Sequence, residues 1–110
     1  MIEQILLDFL SDLLPEPVVF EKTTRSLPFV LLDKTGSGTA EHLTTSTFAI
    51  QSCAASLLDA AKLNQNVKAL MLDFDALDEI CSVKCQTDYN FTDTTTKQYR
   101  YQAVFEITHY

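Results

Sequence analysis

The sequence predicts an α+β domain: a mostly antiparallel β-sheet with an N-terminal helix and one long central helix packed on it, in the order α-β-β-β-α-β-β. Three observations lead there. Apolar residues recur at three- and four-residue spacing in two separate stretches, one near the start and one in the middle. Runs rich in β-branched and aromatic residues lie between and after them. The stretch KQYRYQAVFEITHY, 97–110, alternates with period two. This grouping suits helices on one face of an antiparallel sheet. A length of 110 residues reads as a single domain, 1–110, which buries roughly two-thirds of the surface of its unfolded chain.

The first helix covers 2–14, with Ile2, Ile5, Leu6, Phe9, Leu13 and Leu14 on one face. Glu3 sits where the helix dipole favours an anion, and Pro15 and Pro17 end the helix. VVFEKTT (18–24) and PFVLLDKTG (28–36) are the first two strands, and the short RSLP link suggests a hairpin or an offset meander. Gly36 and Gly38 are the chain's two glycines, and GSG reads as a loop. TTSTFAIQS (44–52) is the third strand, with Phe48 and Ile50 on one face and Thr47, Ala49 and Gln51 on the other.

The apolar positions 53, 57, 60, 63, 67, 70 and 74 predict a helix from about 53 to 73. The NQN at 64–66 lowers helix propensity and could kink or split it. ICSVKCQTDYNF (80–91) and KQYRYQAVFEITHY are antiparallel partners joined by TDTTT, with Asp93 available to hydrogen-bond the turn backbone. In the last strand Tyr99, Tyr101, Ala103, Phe105 and Ile107 share one face. Arg100, Gln102, Glu106 and Thr108 share the other, broken only by Val104.

Charge excludes two function classes. The chain carries 15 acidic against 8 basic side chains, a net charge of −7, and its Lys and Arg are scattered singly. A nucleic-acid surface needs clustered cations, as does an anionic membrane. No apolar run approaches the ~18–20 residues that cross a bilayer. The three Cys are an odd number, and the first residues lack a basic leader region. Free thiols in a reducing compartment are the expectation.

No motif carries chemistry. Cys81 and Cys85 stand roughly 13 Å apart along a strand, too far for a disulfide or a shared metal ion. They are expected as buried small apolar residues. Cys53 would need His42 or His109 as a base, and QSCAAS lacks the glycines of a nucleophile elbow. TGSG lacks the Gly-Lys-Ser/Thr of a phosphate loop. Asp73, Asp75, Asp78 and Glu79 lack the ligand spacing of a calcium loop and read as a solvated acidic connection. No catalytic, cofactor-binding or metal-binding residue is assigned, and the expectation is a protein that is not an enzyme.

A family resemblance supplies what chemistry does not. LPFVLLDKTGSG, FAIQSCAASLLDAAKLNQNV and DYNFTDTTTKQYRYQAVFEITHY, in that order, resemble tail terminator (tail-completion, minor tail) proteins of long-tailed bacteriophages and prophages of Gram-positive bacteria. The resemblance implies a subunit that closes with itself into a hexameric ring. That ring would cap the completed tail tube and provide the head-docking surface. It implies no cofactor. The implied partners are further copies, the major tail tube protein and head-neck connector proteins. The implied location is the head-tail junction of the virion, reached from the host cytoplasm during assembly. A head-completion (neck) connector and a monomeric prophage-encoded protein-binding module are the alternatives.

Within this reading two groups of residues are candidates for contact. Tyr89, Phe91, Tyr99 and Arg100 are types enriched at interface centres; the alternative is that such aromatics cover the domain's own helices. Lys34, Thr35, Gly36, Ser37, Gly38 and His42 form a candidate projecting loop.

Overall fold

The computed structural model describes residues 1–21 and 27–110. The elements are α1 (Ile2–Leu13), β1 (Val18–Val19), β2 (Phe29–Ala40), β3 (Leu43–Ala54), α2 (Leu57–Met71), a 3-10 turn (Phe74–Ala76), β4 (Ile80–Asn90) and β5 (Tyr99–His109). They form one five-stranded sheet in the order β1-β2-β3-β5-β4. Every pairing is antiparallel except the short parallel contact of β1 with β2. The α+β class predicted from the sequence is the class observed.

Both helices bury their apolar stripe on one face of the sheet. α1 supplies Ile2, Leu6 and Leu10, and α2 supplies Leu63, Val67 and Met71, each series at four-residue steps. The sheet answers with Val30 and Leu32, Phe48 and Ile50, and Ala103, Phe105 and Ile107. Leu32, Ile50 and Ala103 form one cross-strand row, and Phe48 lies directly opposite Phe105. Burying each large side chain contributes roughly 1.5–3 kcal/mol. The 3-10 turn docks through Phe74, whose ring meets Phe9 of α1 at 4.9 Å.

Several boundaries differ from the sequence reading. In α1 the stripe runs through Leu10, while Leu13 is 52% exposed, because four-residue steps from Ile2 reach position 10 and not 13. The strand expected over 18–24 holds two residues and runs parallel to β2, so these two are not a hairpin; 22–24 fall outside the described residues. α2 begins at Leu57, where the Ser56 hydroxyl accepts from the Asp59 amide at 3.1 Å. Cys53 therefore lies in β3, which runs to Ala54, and is not in the helix.

The NQN does not break α2. Asn64 is buried and donates to the Asp88 carboxylate of β4 at 3.4 Å. Lys68, one turn on, donates to the other Asp88 oxygen at 2.8 Å. That hydrogen bond raises the Lys68 pKa above its ordinary value. The pair's contribution is fully present below the unfolded lysine pKa and is lost as pH rises through the raised one.

The largest correction concerns GSG. It is not a loop: β2 continues through Gly36 and Gly38, which pair with Thr47 and Thr45, to Ala40. Neither glycine has a positive φ, and a Cβ added at either would meet no atom within 4 Å. The turn falls instead at Glu41 and His42, with φ of 52° and 68°. Positive φ at both central residues is the geometry of a type I′ turn, and side chains resist it. Replacing Glu41-His42 by Asn-Gly is expected to stabilise the fold by about 1 kcal/mol, read as a shift in the urea midpoint at unchanged slope.

Candidate functional site

Helices cover one face of the sheet, and the helix-free face carries the candidate site at its β4–β5 end. Side chains alternate along each strand, so Gln51, Gln102 and Tyr89 fall in one row across β3, β5 and β4. The Gln51 side-chain amide donates to the Gln102 carbonyl at 3.0 Å, and the Gln102 amide donates to the Tyr89 hydroxyl. The Phe91 ring meets the Tyr89 ring edge-on, with centroids 5.9 Å apart. Arg100 closes the cluster. Its guanidinium lies 4.8 Å above the Phe91 ring, and its Nε donates to the Phe91 carbonyl at 2.8 Å. The result is two aromatic rings held in place yet each 39% exposed.

Beside Arg100 the end of the sheet opens into a hollow of about 370 Å³. Phe29, Leu31, Cys53 and Ala54 line it, with Lys97 and Arg100 also on its wall. Its size lies at the lower end of ligand-sized pockets.

The tip of the β4–β5 hairpin is built by Asp93. Its backbone exchanges both hydrogen bonds with Gln98 at 3.1 Å, and Lys97 takes the left-handed conformation that turns the chain. One Asp93 oxygen accepts from the Thr95 and Thr96 amides at 3.0 and 3.4 Å. These donors, Thr96 above all, hold the Asp93 pKa below its ordinary value. A depressed carboxylate pKa stabilises the fold above the unfolded value and loses that effect as pH falls through the folded one. Acidification below about pH 4 is therefore expected to loosen this tip first. Amide exchange at Thr95 and Thr96 is the readout, and Asp93→Ala should reproduce the loosening at neutral pH.

Of the aromatic candidates, the structure brings Tyr89, Phe91 and Arg100 together. Tyr99 is apart from them: it pairs with Ala54 and, one residue from Arg100, projects to the other side of the strand. The loop candidates are corrected to a hairpin arm. Lys34, Thr35, Gly36, Ser37 and Gly38 belong to β2, and among the six only His42 stands in the turn. Lys34 pairs with Glu3 of α1 at 3.6 Å, and the Thr35 hydroxyl donates to the Thr47 carbonyl. This arm lies at the opposite end of β3 from the aromatic cluster.

The thiols are also placed differently. Cys53 is buried at the Arg100 end, whereas His109 bonds to Ser46 at the far end and His42 sits in the turn beyond it, so neither can serve Cys53. Cys81 and Cys85, expected to be buried, are exposed. Cys81 falls at a register shift of β4, between Ile80 and Ser82, and Cys85, though paired with Phe105 on the helix side, lies on the open edge strand of the sheet. Among the described residues no cluster of three or more His, Cys, Asp or Glu could hold a metal ion. No described helix is long and apolar enough to cross a membrane.

The sequence reading missed Gln51, Gln102, Phe29 and Leu31. Their signal was period-two alternation onto the face opposite the core. It becomes visible only once the order β2-β3-β5-β4 places these strands side by side. No protein-family model matches the sequence, and comparison with curated proteins finds no match.

Proposed function

We propose that this protein is a structural subunit of phage tail assembly, of the tail-terminator kind its motifs resemble. Copies close into a ring, the ring seats on the end of the tail tube, and further tube subunits are sterically excluded. The exposed side of the ring then offers a docking surface to the head and its neck connectors. No reaction is involved; the work is done by shape and contact.

The observation that carries this reading is the pre-built cluster of Tyr89, Phe91 and Arg100 on the helix-free face. Arg and aromatic side chains dominate the energetics of interface centres. Here they are fixed before a partner arrives, which lowers the ordering cost of association. A stable contact needs roughly 800 Å² from each partner, and the helix-free face provides a continuous surface of strands around the cluster. A net charge of −7 keeps unassembled subunits apart except where surfaces match.

Deleting the gene from its phage or prophage tests the function directly. A terminator's loss is expected to give tail tubes of uncontrolled length without heads, seen by electron microscopy of induced lysates. Tails of normal length beside unjoined heads would instead assign the head-completion role. Normal particles would leave a separate protein-binding module.

A further inference from the structure

We infer that the ring contact runs head to tail: the acidic turn 72–79 of one copy seats in the hollow beside Lys97 and Arg100 of the next. This rests on the ring reading above and names its two complementary surfaces. They lie at opposite ends of the sheet. Ala54 pairs with Tyr99 at the hollow, and Thr44 pairs with His109 at the other end. There the Tyr110 amide donates to the Glu79 carbonyl at 3.2 Å and ties the acidic turn to the end of β5. β5 has 11 residues, so about 33 Å separates the two ends, in a molecule 44 Å long. A contact between two different patches of one surface is heterologous: it cannot close as a two-fold dimer, and it makes a ring when the rotation from copy to copy closes.

The chemistry of the two surfaces is matched. The hollow has an apolar floor, and its two cations form no ion pair among the described residues. Asp93 is the carboxylate that feels Arg100. The turn offers the reverse: Asp73, Asp75, Asp78 and Glu79 are all exposed, also without an ion pair among the described residues. Leu72 beside them is 77% exposed. An apolar knob ringed by carboxylates therefore meets an apolar hollow flanked by cations. Most encounters between copies of so acidic a chain repel, and this one attracts, which sets the register of association.

The turn is also rigid. Phe74 anchors it in the core, and the Asp73 and Ile80 amides donate to the Leu70 and Leu77 carbonyls at 3.0 Å each.

Zero-length carbodiimide cross-linking of the purified chain at low salt, read by peptide mass spectrometry, tests the contact. The reagent joins a lysine amine to a carboxylate it touches. Lys97 cannot reach the turn of its own chain across the length of the sheet. An amide from Lys97 to Asp75, Asp78 or Glu79 is therefore the expected product and reports a contact between copies.

Two charge-reversed chains, K97E/R100E and D75K/D78K, provide the second arm. Each alone is expected to need at least about thirtyfold more protein to associate, with circular dichroism unchanged. Mixed, they are expected to associate again, because the reversed turn of one fits the reversed hollow of the other. Association that survives both reversals overturns the head-to-tail contact and leaves the ring reading standing. A chain that yields no multimers at any concentration, alone or mixed with tube protein, overturns both.

Discussion

Phe48→Ala is expected to remove 3–5 kcal/mol of folding stability, a large part of the ~5–15 kcal/mol that holds a domain of this kind together. Phe48 is among the largest fully buried side chains, at 0% exposure in the middle of β3. Its cross-strand neighbour is Phe105, itself buried, so the truncation opens a cavity on the face where both helices dock. β3 pairs with β2 and β5 on its two sides, which leaves the backbone little freedom to collapse into the void. Urea unfolding followed by far-UV circular dichroism measures the loss. Phe91→Ala on the opposite face is the control. Its ring is partly exposed and contributes one cation–π contact and one edge-on contact with Tyr89, so its loss should cost about 1–2 kcal/mol. A cost for Phe48→Ala no larger than that of Phe91→Ala would contradict its place in the core.

Arg100→Glu is expected to act the other way, sparing the fold and abolishing assembly. Within one chain the substitution gives up the stacking on Phe91 and the bond to the Phe91 carbonyl, and it sets a carboxylate near Asp93. The sum is about 1–2 kcal/mol, which a well-packed sheet tolerates. Between chains the loss is larger. An interface Arg at a cluster centre typically contributes 2 kcal/mol or more, roughly a thirtyfold weakening of association. Arg100→Lys separates charge from shape, since lysine keeps the charge and loses the planar fork that stacks on the ring. Sedimentation analysis of the three proteins ranks them. If the Glu variant assembles like the wild type, Arg100 lies outside the contact.

The fold was legible where one periodicity acts alone. β5 alternates with Val104 as its one exception, and Ala103, Phe105 and Ile107 are buried in register with it. The stripe of α2 is likewise readable from Leu63, Val67 and Met71. Errors gathered where two signals overlap or where a signal has two causes. Cys53 fits the helical spacing of α2 and also the alternation of β3; Ser56, which caps the helix, decides between them. Gly36 and Gly38 carry the compositional mark of a loop, but glycine also fits an extended strand, and here the positive-φ turn fell to Glu41 and His42.

The candidate site was partly legible, for a related reason. Tyr89, Phe91 and Arg100 could be named from residue type alone. Their joint geometry depends on pairing β4 with β5 and on bonds through Gln102 to Gln51, which link residues 51 positions apart. Such long-range rows leave no local trace. The register shift at Cys81 and the edge position of Cys85 also arise from pairing and not from composition.

The central claim, that this chain is a ring-forming subunit, is tested most directly by its mass in solution. Native mass spectrometry or light scattering over a wide concentration range would be applied to the chain alone and to the chain mixed with the major tail tube protein of the same phage or prophage. The expected result is a closed ring, six copies if the family resemblance holds, formed alone or on the tube. A strict monomer at every concentration and in that mixture would contradict the claim.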